Sequence, residues 1–278
     1  MRAFRYTWRT FSREILYLIG AALFCVPFYM LLTMSLKSNN EIFTAPLSLP
    51  KSPAWGNFSD AVDVGVVPLD HAAISSVIIT AGSVFFLVLI GSVCAYAIAR
   101  TTSRLGSMLY IAFVLGIVLP PQLAVVPLFI VMRNLGLVGT YPGMIILYVG
   151  LLTPLSVFLY AGFVRTLPKD FEEAAQVDGA STMRIYLRVI LPLMRPVTWT
   201  VAILTGLFVW NDFFTSLIFL SGSDKVTIPV AVYSLVEAQA GQWNLAFAAI
   251  VLALTPAVLF YLVAQRQIVN GLAGGVKG

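Results

Sequence analysis

Charge is scarce in this chain. Only 10% of its 278 residues are Asp, Glu, Lys or Arg, against about 25% in soluble domains. A water-soluble core of this size cannot hide the accompanying 59% of hydrophobic residues, so the chain reads as a polytopic membrane protein. Histidine occurs once, as His71, in a loop without an obvious partner, which speaks against a His-based metal site or catalytic base. The two cysteines, Cys25 and Cys94, each fall inside an apolar run, which excludes a disulfide framework and any Cys metal spacing. H-E-x-x-H, G-x-S-x-G and Cys/His clusters are missing. The tail from Gly271 to Gly278 is rich in glycine but lacks phosphate-loop spacing, and no Ser or Thr follows Lys277. The chain is therefore expected to be non-catalytic, with no cofactor and no metal bound; if ATP and Mg are used, a partner chain binds them.

What is abundant is long apolar sequence. The run Ile15–Leu36 has 22 residues, about 33 Å as a helix. A basic leader ahead of an apolar run also describes a secretory signal, but this run is too long and no small-residue cleavage site follows it. It is read as a retained first span. Further spans are predicted at about 74–99, 107–131, 141–164, 196–220 and 245–264, with a polar segment at 165–195 and a tail at 265–278. The third predicted span carries Pro120, Pro121 and Pro127 and should kink or break near its middle. Prolines at membrane depth are tolerated where neighbours satisfy the freed backbone groups, which favours a packed or cavity-lining position. No internal repeat or second domain is evident, so residues 1–278 read as one transmembrane domain.

The net charge of +5 sits at span ends, which argues against nucleic acid and for a membrane topology. With six spans both termini lie on one side. That side, with the 100–106 turn and the 165–195 segment, holds 13 of the 17 lysines and arginines. Lys37, Lys51, Arg133 and Lys225 fall on the other. The positive-inside rule then places the termini and the 165–195 segment in the cytoplasm.

The 165–195 segment reads as helix–turn–helix. Pro168 precedes it and Asp170 can serve as N-cap, with Glu173 three residues on as in a capping box. Glu172 and Glu173 lie in the first turn, where the helix dipole favours negative charge. Ala174 and Ala175 are strong helix formers. Gly179 can end the helix in a left-handed conformation. Ser181 can cap a second short helix that carries Arg184 and Arg188 and stops near Pro192. The same spacing would serve an ordinary solvated hairpin.

Inside the spans, Asp212 is the clearest ionisable residue, within Trp210-Asn211-Asp212-Phe213-Phe214. It lies about 24 Å along a helix starting at Pro196. A carboxylate in a span normally faces protein or water. Asn211 and Asp212 can line a solute path with Trp210 as an aromatic platform, an arrangement that suits sugars. The alternative is a helix end near the outer interface, with Trp210 in the aromatic belt and Asp212 solvated. Gln122, between the proline-rich half-spans, is a second polar candidate.

The pattern Glu173-Ala174-Ala175, three residues, Gly179, nine residues, then Val189-Ile190-Leu191-Pro192 resembles the E-A-A loop of membrane subunits in bacterial ATP-binding-cassette importers. Leu119-Pro120-Pro121-Gln122, the turn from Leu135 to Tyr141, Trp210-Asn211-Asp212-Phe213, Thr227-Ile228-Pro229 and the tail are similar to the MalG-like subunit, the smaller permease of maltose-type carbohydrate importers. The departures are Val189, where that pattern has Ile, and Asp212, where Glu is frequent. The resemblance implies an all-α membrane protein of type I importer permease fold, with six transmembrane helices and a cytoplasmic coupling helix between spans 4 and 5. It implies a multi-pass protein of the bacterial inner membrane that works with a MalF-like second permease, two ATPase subunits and an extracytoplasmic sugar-binding protein. Glu172, Glu173, Ala174, Ala175, Asp178, Gly179 and Pro192 would couple to the ATPase, and Gln265, Gly271, Gly274 and Lys277 would reach it from the tail. Gln122, Trp210, Asn211 and Asp212 would belong to the solute pathway, although the partner permease can hold the sugar in that family. The runner-up substrates are a polyol, a glycerol phosphate or an amino sugar. A more distant alternative is an ion-coupled secondary carrier, which should show inverted repeats and several embedded titratable groups.

Overall fold

The computed structural model describes residues 8–65 and 67–274. Among them there is no β-strand. In chain order the helices are α1 (Trp8–Ser35), α2 (Asn39–Thr44), α3 (Gly56–Asp63), α4 (Leu69–Arg100) and α5 (Arg104–Val118). A 3₁₀ turn (Pro121–Ala124) leads to α6 (Val125–Asn134), followed by α7 (Tyr141–Thr166), α8 (Asp170–Val177) and α9 (Thr182–Ile185). A π turn (Tyr186–Ile190) continues into α10 (Leu191–Leu193), α11 (Arg195–Asn211), α12 (Phe214–Phe219), α13 (Ile228–Ala238) and α14 (Trp243–Gly274). Helices dominate because a chain in lipid must satisfy its backbone polar groups internally.

Among the described residues, three helices are long and apolar enough to cross a membrane: Thr10–Ser35, Leu69–Arg100 and Tyr141–Thr166. Two further stretches qualify only as bent pairs, Arg104–Val118 with Pro121–Asn134 at 95°, and Thr182–Leu193 with Arg195–Asn211 at 73°. The first bend is the break expected from Pro120 and Pro121. Pro120 is extended at ψ 123°, since a residue before proline avoids the helical region. The fifth expected span, 196–220, is not one helix. It ends at Asn211 and restarts at Phe214, because Asp212 takes an extended conformation. The stretch expected at 245–264 lies within α14.

The chain divides into two compact units. The first comprises residues up to Leu69 with Val232–Thr255. Its polar connections carry α2, α3 and part of α13. They are ordered by buried polar side chains. Lys37 is fully buried and donates from Nζ to the carbonyls of Ala45 (2.7 Å) and Pro46 (3.0 Å). Asn57 donates to the carbonyls of Ser35 and Lys37 and accepts from the Asn244 amide at 2.9 Å. Buried polar groups stay folded only when paired in this way.

The second unit comprises Asp70–Ala231 with the chain from Pro256 on. Its core has two parts. Ala95, Val157, Tyr160, Ala161, Val164, Ile190 and Val201 join α4, α7, the π turn and α11. Ile79, Leu87, Met144, Leu147, Tyr148, Val209 and Phe219 join α4, α7, α11 and α12. Small residues let α4 and α7 approach closely, as is usual between membrane helices. At Gly91 an added Cβ would fall on the buried Ser156 side chain, whose hydroxyl donates to the Leu87 carbonyl at 3.0 Å. Gly91→Ala is therefore expected to lower stability by about 1–3 kcal/mol. Ser156→Gly in the same chain should restore most of it, read as thermal midpoints of the purified protein. No loss in the single variant would refute the close approach.

Candidate functional site

The 165–195 segment folds as two helical pieces around Gly179. Asp170 is the first residue of α8 and not its N-cap. Lys169 takes that position, with φ −69° and ψ −21° and no side-chain cap bond. Its carbonyl accepts from Glu172 N at 2.8 Å and Glu173 N at 3.0 Å. The helix starts one residue earlier than expected because the chain turns helical directly after Pro168. The other end matches expectation. Gly179 has φ +76°, its N–H donates to the Gln176 carbonyl at 2.9 Å, and Ala180 N donates to Ala175 O at 3.0 Å. These two bonds form the Schellman closure, which needs the left-handed conformation that glycine takes without strain. Ser181 stands at the N-cap of α9 in extended conformation, without a side-chain bond to the helix. Pro192 lies in the first turn of α10 and is exposed, and the chain bends just beyond it at Met194.

The helix α8 has two faces. Glu173, Ala174, Asp178 and Gly179 are exposed, together with the large apolar side chains Phe171 and Val177, the latter at 88%. Ala175 packs against the core. Glu172 departs from the expectation that grouped it with the outward residues. It is buried, and Arg100 Nε meets its Oε1 at 2.6 Å while the Tyr96 hydroxyl donates to its Oε2 at 2.9 Å. Successive helix positions lie about 100° apart, so one glutamate faces the chain's own α4 and the next faces away.

The four pathway candidates do not form one cluster. Gln122 and Asp212 line the same small cavity, about 40 Å³, with Pro121 and Phe208. Two helix breaks meet there, the 3₁₀ turn after α5 and the extended residue after α11. Asp212 Oδ2 accepts from the Tyr148 hydroxyl at 2.7 Å, and that hydroxyl lies 3.1 Å from Ser216 Oγ. Asn211 is exposed and spends its amide on the Leu207 carbonyl of its own helix at 2.8 Å. Trp210 lines a separate apolar groove of about 350 Å³ with Trp199, Gly206 and Pro256. Of the tail residues, Lys277 lies outside the described residues. For Gln265, Gly271 and Gly274 the helical backbone of α14 is described and the side chains are not.

Sequence reasoning missed Tyr148, Tyr96 and the pairing of Arg100. Tyr148 sits in an unbroken apolar run, and nothing local signals a partner 64 residues away. Arg100 was legible only as a span-end charge. A buried hydroxyl that holds a carboxylate is expected to matter more than the charge it holds. Tyr148→Phe leaves Asp212 and the buried Ser216 without their donor and partner and should cost about 1–3 kcal/mol. Asp212→Asn keeps an acceptor and should cost less. Thermal unfolding of the two variants checks the order, and the reverse order would contradict it.

Residues 87–273 match the family model described as binding-protein-dependent transport system inner membrane component. The chain is 34% identical over 275 residues to the melibiose/raffinose/stachyose import permease protein MelC of Bacillus subtilis (strain 168), covering 97% of this chain and 99% of the relative. It is 34% identical to the probable starch degradation products transport system permease protein AmyC of Thermoanaerobacterium thermosulfurigenes, over 94% of each chain. It is also 34% identical to the diacetylchitobiose uptake system permease protein NgcG of Streptomyces coelicolor, over 94% of this chain and 86% of the relative. Among solved structures, a chain from a bacterial ABC transporter involved in the import of the acidic polysaccharide alginate superposes with a TM-score of 0.80 at 21% identity, covering 95% of this chain and 99% of that one. The polar hairpin is thus set in the fold of an ABC importer permease, and this multi-pass membrane chain belongs to the family of inner membrane components of binding-protein-dependent transport systems.

Proposed function

We propose that this chain is one permease of an ATP-driven, binding-protein-dependent sugar importer and that its 165–195 segment is the docking element for the ATPase. The observation that carries the docking role is the exposed face of α8. Phe171, Ala174 and Val177 recur at three-residue spacing and stay exposed beside Glu173 and Asp178. An apolar strip of this kind on a short, rigidly closed helix suits a cleft in a partner protein. The sugar assignment is carried by the carbohydrates that the relatives' names print: melibiose, starch degradation products and diacetylchitobiose.

In this reading the chain is the non-catalytic half of a membrane pathway. A second permease supplies the other half, two ATPase subunits supply hydrolysis, and an extracytoplasmic sugar-binding protein delivers the solute. Both termini and the hairpin face the cytoplasm, on the strength of the lysine and arginine distribution. ATP-driven movement of the docked ATPase displaces α8, and the spans change access from one side to the other. The tail residues Gln265, Gly271, Gly274 and Lys277 add a second contact to the ATPase. The cavity lined by Gln122 and Asp212 is a polar station on the path, where the second Asp212 oxygen and the Gln122 amide can meet sugar hydroxyls.

Tagging the chain and extracting it mildly from native membranes tests this composition. Mass spectrometry is expected to find a second permease and an ATP-binding subunit, and a co-purifying binding protein should gain thermal stability with an oligosaccharide such as melibiose or diacetylchitobiose. A chain that comes out alone even after crosslinking would refute the importer reading, and a binding protein that ignores every sugar would refute the carbohydrate part. Gly179→Asp, Glu173→Lys and Val177→Glu each alter the docking face without touching a span. Each is expected to reduce co-purifying ATPase by about tenfold or more while the chain still inserts. Undiminished ATPase in all three would sink the docking role.

A further inference from the structure

The face that α4 turns to the hairpin carries three polar residues. Ser92, Tyr96 and Arg100 follow at four-residue steps, which places them on one side of the helix. All three bond into the hairpin. Ser92 Oγ lies 2.7 Å from the Tyr186 hydroxyl. Ser92 Oγ also lies 2.6 Å from the Val88 carbonyl of its own helix, to which it can donate. Tyr96 donates to Glu172 and packs its ring on Tyr186, with centroids 5.5 Å apart. Arg100 pairs with Glu172 and donates from Nη2 to the Leu167 carbonyl at 3.1 Å. One helix face therefore grips the approach to α8, α8 itself and the π turn.

The covalent route from α8 to the spans is weaker. It runs through the turn at Gly179, the four-residue α9, a π turn and a 73° bend before α11 begins. A π turn lacks the regular ladder that stiffens an α-helix. The apolar contacts that back this route, through Ile185, Ile190 and Met194, are non-directional and permit sliding. Charge-assisted hydrogen bonds fix both distance and orientation. Glu172 has both carboxylate oxygens engaged on α4, so α8 cannot move far from α4 without exposing a buried unpaired charge.

We infer that this face of α4 is the stiff link through which movement of α8 reaches the spans, and that Tyr96 is its central positioning residue. The inference rests on the reading of the hairpin as the ATPase-docking element. Tyr96 bridges the two parts of the hairpin, its hydroxyl on Glu172 and its ring on Tyr186. The link makes α4 and the hairpin one moving body, while α7 meets the hairpin in the apolar cluster of Tyr160, Val164, Ile185 and Ile190, whose non-directional contacts permit sliding.

The test uses the full complex in lipid nanodiscs, with Cys25 and Cys94 replaced by serine. Spin labels at Thr182→Cys and Ile74→Cys report the distance from hairpin to α4. Labels at Thr182→Cys and Ile146→Cys report the distance from hairpin to α7. Trapping with ATP and vanadate is expected to leave the first distance unchanged and to shift the second by about 2 Å or more. In Tyr96→Phe the first distance should also shift on trapping and its distribution should broaden, while ATP hydrolysis by the complex persists. Arg100→Gln alone strands the Glu172 charge and can prevent assembly. The double variant Arg100→Gln with Glu172→Gln removes both charges, and it should assemble and show the same broadened distance. A hairpin-to-α4 distance that shifts in the unsubstituted complex, or that holds in Tyr96→Phe and in the double variant, overturns the link. A complex that contains no ATPase overturns the importer reading and this inference with it, which the co-purification experiment detects on its own.

Discussion

A buried carboxylate governs the geometry of the polar hairpin. Removing Glu172 from water costs several kcal/mol unless its charge and lone pairs are met. Arg100 and Tyr96 meet them, and both come from one face of α4. That requirement fixes how α8 lies against α4. It also decides which residues of α8 remain available outside, since turning Glu172 inward turns Glu173, Ala174 and Val177 outward. The docking face and the internal link are two sides of the same constraint.

The same logic recurs at the helix breaks. A break in a span frees backbone groups, and these persist only beside protein or water. The break after Asn211 is held by Asp212, whose carboxylate is anchored by the buried Tyr148 hydroxyl. The break after Val118 is made by consecutive prolines and faces the same small cavity. Transporters concentrate polar function at discontinuous helices because only there can backbone and side-chain polar groups reach a cavity. In the first unit, Lys37 and Asn57 do a comparable job for irregular chain by donating to its carbonyls.

The sequence was most informative where the cause is local. Gly179 closes α8 because a left-handed C′ position selects glycine, and the proline pair breaks the third span because proline constrains the residue before it. It misjudged Asp170 by one position, since the start of a helix depends on where the preceding chain turns. It ran a single span across Asp212, because the apolar run continues on both sides and hydropathy does not register an extended residue. It grouped Trp210 with Asp212, although a two-residue separation on a helix points side chains to different sides and sends Trp210 into another groove.

The amino-acid sequence by itself determined that this is a helical membrane chain with a polar E-A-A hairpin closed by glycine. Hydrophobicity, proline and glycine act within a few residues, and their effects are additive along the chain. Which glutamate turns inward, which tyrosine holds Asp212, and that Ser92, Tyr96 and Arg100 share one task were decided only by the tertiary structure. These are pairings between residues 64 to 94 positions apart, and their energies exist only once packing has removed water from both partners.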